Sequence, residues 1–319
     1  MKEVEKNRMM IFTGSSVPEL GKRIADKLGI KMGKVELTRF SDGEIYVRYL
    51  ESIRGAHVFL IQTCSHPVNY NIMEMLIMID ALKRASAEKI TAVIPYMGYS
   101  RQDRKARGRE PISAKLIADL LSTAGIDRMM TMDLHAGQIQ GFFNVPVDHL
   151  TAIPKIIDYI NGKNIKDLVI VAPDSGRVEV ARKVANRCNA DLAILYKSRP
   201  KPNVSETINI VGDVKDKNVF IVDDLIDTAG TVCESAEFMK RLGAKEIFTA
   251  CTHPVFSEPA YKRLRETPIS EVVVTDTMPI KNDLLKDKLV VITIVDILSQ
   301  AIKNVFYNES VSEIFRGRM

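Results

Sequence analysis

The sequence predicts an α/β protein in which mainly parallel sheets are flanked by helices, and three observations support this class. Short runs rich in β-branched residues alternate with longer amphipathic runs along all 319 residues. The short runs are nearly continuous in apolar residues, as in strands that are buried on both faces. At 46% apolar and 27% charged residues, the composition is that of a globular protein with a substantial core.

The individual elements follow from the spacing of the apolar residues. Strands are predicted at residues 10–13, 58–62, 90–95, 129–133, 168–172, 192–195, 219–223, 246–250, 271–275 and 290–294. Helices are predicted at residues 18–28, 71–85, 113–124, 178–188, 231–242 and 295–304. Because helices separate most of the strands, we expect the strands to pair in parallel.

The length predicts two domains of roughly 150 residues each. Residues 57–63 and 218–224 share one pattern, and each segment leads through a polar turn into a helix that ends in Lys-Arg. The similarity indicates either two related domains or two generic strand–helix–strand units. We expect one domain at residues 8–151 and a second at 152–305, with the tail at 306–319 packed on the first.

Composition and charge exclude several classes of protein. Forty-five Lys and Arg against 40 Asp and Glu give a net charge of +5, which permits anionic substrates but does not indicate nucleic-acid binding. The four cysteines lack C-x-x-C spacing, so neither a zinc site nor a disulfide framework is predicted. No signal peptide is recognisable, and no apolar stretch approaches the ~18 residues that cross a bilayer. We therefore expect a cytoplasmic protein without a membrane partner.

The strongest motif, VFIVDDLIDTAGT, lies at residues 219–231. A buried strand ends in Asp223 and Asp224, which can accept hydrogen bonds from sugar hydroxyls at the carboxyl end of a parallel strand. The next helix opens with N–H groups that suit a phosphate, and the residues leading into it are Asp227, Thr228, Ala229, Gly230 and Thr231. The alternative is a helix cap in a solvated turn, but capping requires one acid and this segment has three.

This segment resembles the phosphoribosyl-diphosphate (PRPP) motif that type I phosphoribosyltransferases share with ribose-phosphate diphosphokinases, the PRPP synthases. Further motifs favour the synthases, whose fold is two tandem phosphoribosyltransferase-like (Rossmann-like) domains. The resemblance continues to residues 308–315 (NESVSEIF), which look like the C-terminal tail of that family. Because five motifs occur in the family's order, the chain is similar to a class I PRPP synthase.

Two segments resemble the family's ATP-binding segments, RFSDGE at residues 39–44 and PYMGYSRQDRK at 95–105. The ring of Phe40 offers a face on which adenine can stack, and carboxylates can accept hydrogen bonds from the exocyclic amine of adenine. The ATP-binding residues that the resemblance implies are Phe40, Asp42, Gly43, Glu44, Arg101 and Gln102. In the family the first segment reaches into a neighbouring subunit's site, whereas on sequence alone Ser-Asp-Gly is simply a favourable turn.

The resemblance also implies metal ligands. TMDLHAGQIQGFF at residues 131–143 matches a family signature in which His135 is a magnesium ligand, although a histidine is an unusual ligand for Mg²⁺. APDSG at residues 172–176 resembles the pyrophosphate loop, in which Asp174 meets magnesium. The chain departs from that pattern at Arg177, which replaces a second glycine, and at Val180, which replaces a basic residue. The Arg177 guanidinium could compensate by contacting phosphate directly.

Two basic loops complete the resemblance. YKSRPKPN at residues 196–203 matches the family's catalytic loop, in which Lys197 and Arg199 stabilise the transferring group and Arg199 also contacts the ribose 5-phosphate. RKARGREP at 104–111 lies, in the family, near the regulatory site, and Arg109 occupies the position of a regulatory arginine. Without the other motifs, both loops would be typical of solvated basic segments.

The resemblance implies an enzyme that transfers the β,γ-diphosphoryl group of ATP to the 1-hydroxyl of ribose 5-phosphate, giving PRPP and AMP for nucleotide, histidine and tryptophan biosynthesis. It implies Mg²⁺ as cofactor, inorganic phosphate as activator, and a homohexamer that shares sites between subunits. The alternatives are a phosphoribosyltransferase that consumes PRPP and a catalytically silent subunit that regulates an active partner. A nucleic-acid-binding module is disfavoured by the low net charge.

Overall fold

A computed structural model of the chain describes residues 8–198, 207–280, 285 and 287–317. The described residues form two compact units. The first comprises residues 8–151 with Thr277–Pro279 and Ile294–Arg316, and the second comprises the described parts of Ala152–Asp276 and Ile280–Thr293 with Gly317.

The first unit is built on a parallel sheet that has five strands within the described residues. Its elements are β1 (Arg8–Thr13), α1 (Pro18–Leu28), β2 (Val35–Arg39), β3 (Ile45–Tyr49), β4 (Ala56–Ile61), α2 (Val68–Arg84), β5 (Lys89–Ile94), α3 (Ser113–Ala124), β6 (Arg128–Met132) and β7 (Val147–Leu150), followed later in the chain by α8 (Val295–Phe306). The strand order is β1-β4-β5-β6-β7. β4 and β5 are buried along almost their whole length, as expected for strands covered on both faces.

A separate antiparallel hairpin, β2–β3, packs against α2 in the first unit. The guanidinium carbon of Arg39 lies 3.6 Å from the centroid of the Tyr70 ring, a cation–π contact. The hydroxyl of Tyr49 donates to the carbonyl of Met78 at 3.1 Å. These contacts attach both ends of the hairpin to one helix.

The second unit contains a sheet that has seven strands in the described part of the chain. Its elements are α4 (Ile153–Gly162), β8 (Leu168–Ala172), α5 (Val178–Cys188), β9 (Asp191–Ser198), β10 (Thr207–Val211), β11 (Asn218–Ile226), α6 (Gly230–Arg241), β12 (Ile247–Pro254), α7 (Ala260–Glu266), β13 (Ile269–Thr275) and β14 (Leu289–Ile292). The strand order is β10-β9-β8-β11-β12-β13-β14, and only the β9–β10 pair among these described strands is antiparallel. The predicted class, α/β with mainly parallel sheets, is confirmed.

Each unit has its own hydrophobic core. In the first unit, Phe12 and Leu60 pack with Met75 and Met78, so these two methionines of α2 fill core space. In the second unit, Phe220 stacks on Phe248 with ring centroids 5.6 Å apart, and the apolar face of α4 covers this side of the sheet.

Several elements differ from those predicted. β2, β3, β7 and β10 were not predicted, because their polar and partly exposed residues lack the apolar runs of the central strands. The helices α4 and α7 were also not predicted. β11 continues past residue 223 to Ile226 because its ladder with β12 continues to Pro254.

The last long helix belongs to the first unit. α8 packs against α1, and Lys27 of α1 forms an ion pair with Asp296 of α8 at 3.0 Å. The second domain that we delimited from the sequence, residues 152–305, therefore includes a helix that packs in the first unit. None of the helices in the described part of the chain combines the length and the apolar character that spanning a membrane requires.

Candidate active site

The acidic motif lies where the strand order of the second unit reverses. From β8 the chain proceeds outward to β9 and β10, and then returns to form β11 on the other side of β8. In open α/β sheets, ligands bind outside the carboxyl ends of the strands at such a switch point. The carboxyl ends of β8 and β11 carry, respectively, the loop at 173–177 and the acids at 223–227.

Asp223 and Asp224 are the polar centre of this edge. They lie within β11 rather than after it, and Asp223 is paired in register with Cys251 of β12. Asp224 is 7% exposed, and its backbone N–H donates to Oδ1 of Asp223 at 2.8 Å. Two neighbouring carboxylates are thus held together in a largely buried position.

Arg177 forms ion pairs with both acids. Its Nε lies 3.3 Å from Oδ1 of Asp223, and its Nη2 lies 2.7 Å from Oδ2 of Asp224. Burial and the neighbouring Asp224 raise the pKa of Asp223 well above its ordinary value, while the Arg177 guanidinium opposes that rise. The sequence marked Arg177 as a departure from the family pattern, and left open a contact with phosphate. In the structure its guanidinium lies on the acid pair.

Residues 227–231 form a short turn into α6. Ala229, at the N-cap, has a left-handed backbone with φ of 59°, which costs about 1–2 kcal/mol in a non-glycine residue. Its methyl group cannot cap the first N–H groups of α6, so the helix begins without the side-chain acceptor that usually occupies this place. None of the described α-helices has a side-chain cap, but among them only α6 begins after a left-handed residue. Strain of this kind clusters at ligand sites, and the N–H groups at a helix start can bind an anion.

Arg263 of α7 supports this turn. Its Nη1 donates to the carbonyl of Thr228 at 3.0 Å, and a Cβ at Gly230 would lie 3.3 Å from the same nitrogen. Sequence reasoning missed Arg263, because it lies in a helix that was not predicted and its spacing from the motif carries no signal.

Asp174 shapes the loop after β8. Its Oδ1 accepts hydrogen bonds from the backbone N–H groups of Gly176 at 2.8 Å and Arg177 at 3.1 Å. The carboxyl group thus caps the short 3₁₀ turn Ser175–Arg177, while the residue remains exposed. An exposed carboxylate has the oxygen donors that Mg²⁺ prefers.

The predicted catalytic loop begins later than expected. β9 extends through Ser198, so residues 196–198 are strand rather than loop, and the backbone of Lys197 is paired with Ile208 of β10. The side chain of Lys197 and all of Arg199 lie outside the described residues.

In the first unit, residues 40–44 form the turn of the β2–β3 hairpin. The N–H of Phe40 donates to the carbonyl of Glu44 at 2.9 Å, and Oδ1 of Asp42 accepts from the N–H of Glu44 at 3.1 Å. Gly43 has φ of 97°, which a side chain would strain. The turn presents Phe40, which is 55% exposed, with only the edge-to-face contact of Tyr46 at 5.9 Å between ring centroids described for its ring.

The loop after β5 holds Arg101 and Gln102, which are both exposed. Oε1 of Gln102 accepts from the Ser113 hydroxyl at 2.6 Å, and the carbonyl of Gln102 accepts from Ala114 at 3.1 Å. Gln102 therefore anchors the start of α3. The neighbouring Asp103 accepts from Gln138 at 2.8 Å, which connects this loop to the segment that contains His135.

His135 follows β6 and is half-buried in the first unit. The turn before it is fixed by His149 of β7, whose Nε2 accepts from the N–H of Leu134 at 2.9 Å. Burial lowers the pKa of His149 and so favours the neutral ring. A neutral imidazole has one nitrogen that can accept such a hydrogen bond. Within the described ranges, no group of three or more His, Cys, Asp or Glu side chains is arranged to hold a metal ion.

Residues 104–111, the segment for which the resemblance implies a regulatory role, form a largely exposed loop. Glu110 Oε2 accepts from the N–H groups of Ala106 at 2.9 Å and Arg107 at 2.8 Å. Arg109 is exposed, with a left-handed φ of 70°.

The first unit has different side chains at the sheet edge that corresponds to the position of the acid pair in the second unit. In the internal repeat, Gln62 and Thr63 match Asp223 and Asp224. Gln62 accepts from the N–H of Ser16 at 3.1 Å and donates to the buried Glu74 at 2.7 Å. A Cβ at Gly14 would lie 2.4 Å from Gln62, so the glycine allows this approach. The corresponding edge is therefore filled by an internal polar network.

Family models match both ends of the chain. The model described as the N-terminal domain of ribose phosphate pyrophosphokinase matches residues 9–125. The phosphoribosyl synthetase-associated domain matches residues 196–316.

Full-length relatives have the same name as the first of these models. The chain is 54% identical to the ribose-phosphate pyrophosphokinase of Caldanaerobacter subterraneus subsp. tengcongensis, over 97% of this chain and 98% of the relative. It is 50% identical to that of Bacillus subtilis, over 98% of each chain. A crystal structure of the phosphoribosylpyrophosphate synthetase from Mycobacterium smegmatis matches with a TM-score of 0.90 at 45% identity, covering 94% of this chain and 99% of the other. The chain therefore belongs to the ribose-phosphate pyrophosphokinase family of enzymes.

Proposed function

We propose that the chain transfers the β,γ-diphosphoryl group of ATP to the 1-hydroxyl of ribose 5-phosphate, producing PRPP and AMP. The observation that carries this proposal is the edge of the second unit, where a buried acid pair adjoins a helix start without a side-chain cap. A pair of acceptors beside an anion site has the chemistry to bind a sugar phosphate. The family membership of the chain supports the reaction.

The ribose 5-phosphate is held by two parts of this edge. The 5-phosphate binds the turn at residues 227–231 and the first N–H groups of α6. The ribose hydroxyls donate to Asp223 and Asp224, which leaves the 1-hydroxyl directed at the β-phosphorus of ATP. Such orientation is worth several kcal/mol of the barrier to transfer.

ATP binds through the two segments of the first unit, and the cationic loop of the second unit stabilises the transferring group. Adenine packs on the exposed ring of Phe40, with polar contacts from Asp42, Gly43, Glu44, Arg101 and Gln102. Lys197 and Arg199 neutralise charge on the diphosphoryl group. Because phosphoryl transfer depends mainly on positioning and charge stabilisation, it needs little help from a general base.

We propose Mg²⁺ as the cofactor. Its usual protein ligands are one or two carboxylates together with substrate phosphates, and the exposed carboxyl group of Asp174 has suitable oxygens. In the first unit, His135 is proposed separately as a Mg²⁺ ligand, although nitrogen is a softer donor than this ion prefers. When bound, Mg²⁺ withdraws charge from the triphosphate.

The regulated form of the enzyme is also part of the proposal. Arg109, on its exposed loop, is the proposed contact for inorganic phosphate as activator. A homohexamer would let the hairpin turn at residues 40–44 complete a neighbour's ATP site, because that turn presents an aromatic side chain to solvent.

Identification of the products tests the proposed reaction. The chain is incubated with ATP, Mg²⁺ and ribose 5-phosphate, and the products are separated by ion-exchange chromatography and identified by ³¹P NMR. We expect equal amounts of AMP and PRPP, formed only when both substrates are present.

Other products would contradict the proposal. Formation of ADP would mean ordinary monophosphoryl transfer. Nucleotide formation from PRPP and a nucleobase, without AMP release from ATP, would mean a phosphoribosyltransferase. A folded protein that binds ATP but releases no AMP would be the silent regulatory subunit.

A further inference from the structure

The structure places a guanidinium inside the proposed ribose site. Arg177 extends from the loop after β8 to the acid pair on the neighbouring strand β11. Its side chain is 13% exposed, and it contacts one carboxyl group through Nε and the other through Nη2. We propose that Arg177 is a positioning residue for the ribose, and that its guanidinium holds Asp223 and Asp224 as acceptors for the sugar hydroxyls. This inference rests on the proposed function.

At Arg177 the backbone and the side chain make different contacts. The N–H of Arg177 donates to Oδ1 of Asp174, and any residue other than proline supplies that hydrogen bond. The loop therefore keeps its shape when the side chain is replaced. Only the guanidinium reaches the acid pair.

Electrostatics explains why the acid pair needs a cation. Two adjacent carboxylates repel each other, and burial makes the repulsion stronger. Burial and the neighbouring Asp224 already raise the pKa of Asp223 well above its ordinary value, and the Arg177 guanidinium opposes that rise. Loss of the guanidinium therefore favours a proton on the pair, which turns a hydrogen-bond acceptor into a donor. A guanidinium can contact both carboxyl groups at once, whereas an ammonium acts as a point charge.

The same geometry separates this role from a contact with the phosphates of ATP. A guanidinium that is paired with two carboxylates has much of its charge neutralised. We therefore expect its loss to affect the sugar rather than the nucleotide.

The test compares Arg177→Met and Arg177→Lys with the unmodified chain. KM for ribose 5-phosphate, KM for ATP and kcat are measured from AMP release, and ribose 5-phosphate binding without ATP is measured by calorimetry. For Arg177→Met we expect KM and Kd for ribose 5-phosphate to rise about tenfold, the effect of losing a charge-assisted hydrogen bond. KM for ATP and kcat should stay within about twofold, because the lost interaction holds the sugar equally in the bound state and in the transition state. Arg177→Lys should restore part of the affinity.

Lys183→Ala is the matched control. Lys183 is a cation on α5, the helix that begins directly after Arg177, where it forms an exposed ion pair with Glu179 at 3.1 Å. Its removal should change none of the constants. A lowered unfolding temperature in Arg177→Met with unchanged sugar affinity would mean a purely structural role and would overturn the inference.

Three further outcomes are decisive. A rise in KM for ATP alone would show that Arg177 contacts the nucleotide, and would overturn the inference. If the unmodified chain binds ribose 5-phosphate but releases no AMP, the proposed reaction fails, while the calorimetric comparison still decides the role of Arg177. An unmodified chain that neither binds the sugar phosphate nor releases AMP would overturn both.

Discussion

At the scale of a single residue, Asp224 combines burial with the acceptor role that we propose for it. It is 7% exposed, and its Oδ2 is paired with Arg177 at 2.7 Å. Asp224→Asn keeps the shape of the side chain but removes the charge that, in the proposed site, accepts a hydrogen bond from a sugar hydroxyl. We expect kcat/KM for ribose 5-phosphate to fall by roughly 10- to 100-fold, because hydrogen bonds to charged groups contribute about 1.5–3 kcal/mol.

The control for this variant is Asp158→Asn, which changes an exposed acid on α4. Steady-state kinetics at varied ribose 5-phosphate should distinguish the two variants. Equal kcat/KM for both would mean that Asp224 does not contact the sugar.

His57 gives a prediction for stability as a function of pH. Burial, with the nearby cations of Lys89 and Arg128, lowers its pKa from 6.5 to about 4. The unfolded chain therefore binds a proton near pH 6.5 that the folded chain does not bind until about pH 4. The stability that the neutral, buried His57 contributes is therefore present above pH 6.5 and is lost as the pH falls toward 4.

Urea unfolding of the unmodified chain and of His57→Gln tests this expectation. Glutamine cannot titrate and can keep a hydrogen bond to Thr91, which lies 2.8 Å from Nε2 of His57. Between about pH 7.5 and pH 5, the free energy of unfolding should fall less in the variant. Parallel falls would show that His57 does not titrate as described.

Residue types that carry chemistry could be predicted from the sequence, whereas their partners could not. Asp223 and Asp224 stood out because adjacent acids at a strand end have few structural reasons to occur. Arg263 and His149 did not, because each acts through one hydrogen bond to a distant backbone group. Such contacts depend on which elements become neighbours, and local patterns do not contain that information.

At the scale of elements, α7 supports the turn that the proposed function assigns to the phosphate. Arg263→Met removes the hydrogen bond to the Thr228 carbonyl while keeping a long side chain. We expect KM for ribose 5-phosphate to rise several-fold, about the effect of 1 kcal/mol, because the turn is less firmly held. Arg265→Met, which replaces another exposed arginine of α7, is the control. A change in kcat with no change in KM would contradict a supporting role.

Strands with more buried residues were predicted more accurately from the sequence. Central strands such as β4, β5, β11 and β12 have long buried runs and were found from the sequence. The β2–β3 hairpin alternates half-buried with exposed residues, including charged ones, so its apolar signal is weak. It is nevertheless the element that presents Phe40, which was found only through a motif.

At the scale of the whole molecule, the proposed hexamer is testable by mass. Sedimentation velocity should give a particle of about six times the 35.7 kDa chain mass. Phe40→Ala should lower the affinity for ATP without changing that mass, because its ring is exposed and contributes little to the core. A monomer with full activity would contradict shared ATP sites.

The similarity of residues 57–63 and 218–224 was recognisable from the sequence, but the different hydrogen bonds and ion pairs of the two segments were not. In the first unit Gln62 directly follows β4, and in the second unit Asp223 lies near the end of β11. Buried Glu74 accepts from Ser15, Gln62 and Tyr70, so the edge in the first unit has little capacity left for a ligand. The difference between the two units depends on hydrogen bonds between residues that are distant in sequence, and the pattern of each segment does not contain them.

The most direct test of these assignments is a crystal structure of the chain with ribose 5-phosphate. We expect the 5-phosphate at residues 227–231 with N–H groups of α6, and the ribose hydroxyls on Asp223 and Asp224, in the second unit alone. A sugar phosphate bound instead among Ser15, Ser16 and Gln62 of the first unit would contradict the central claim.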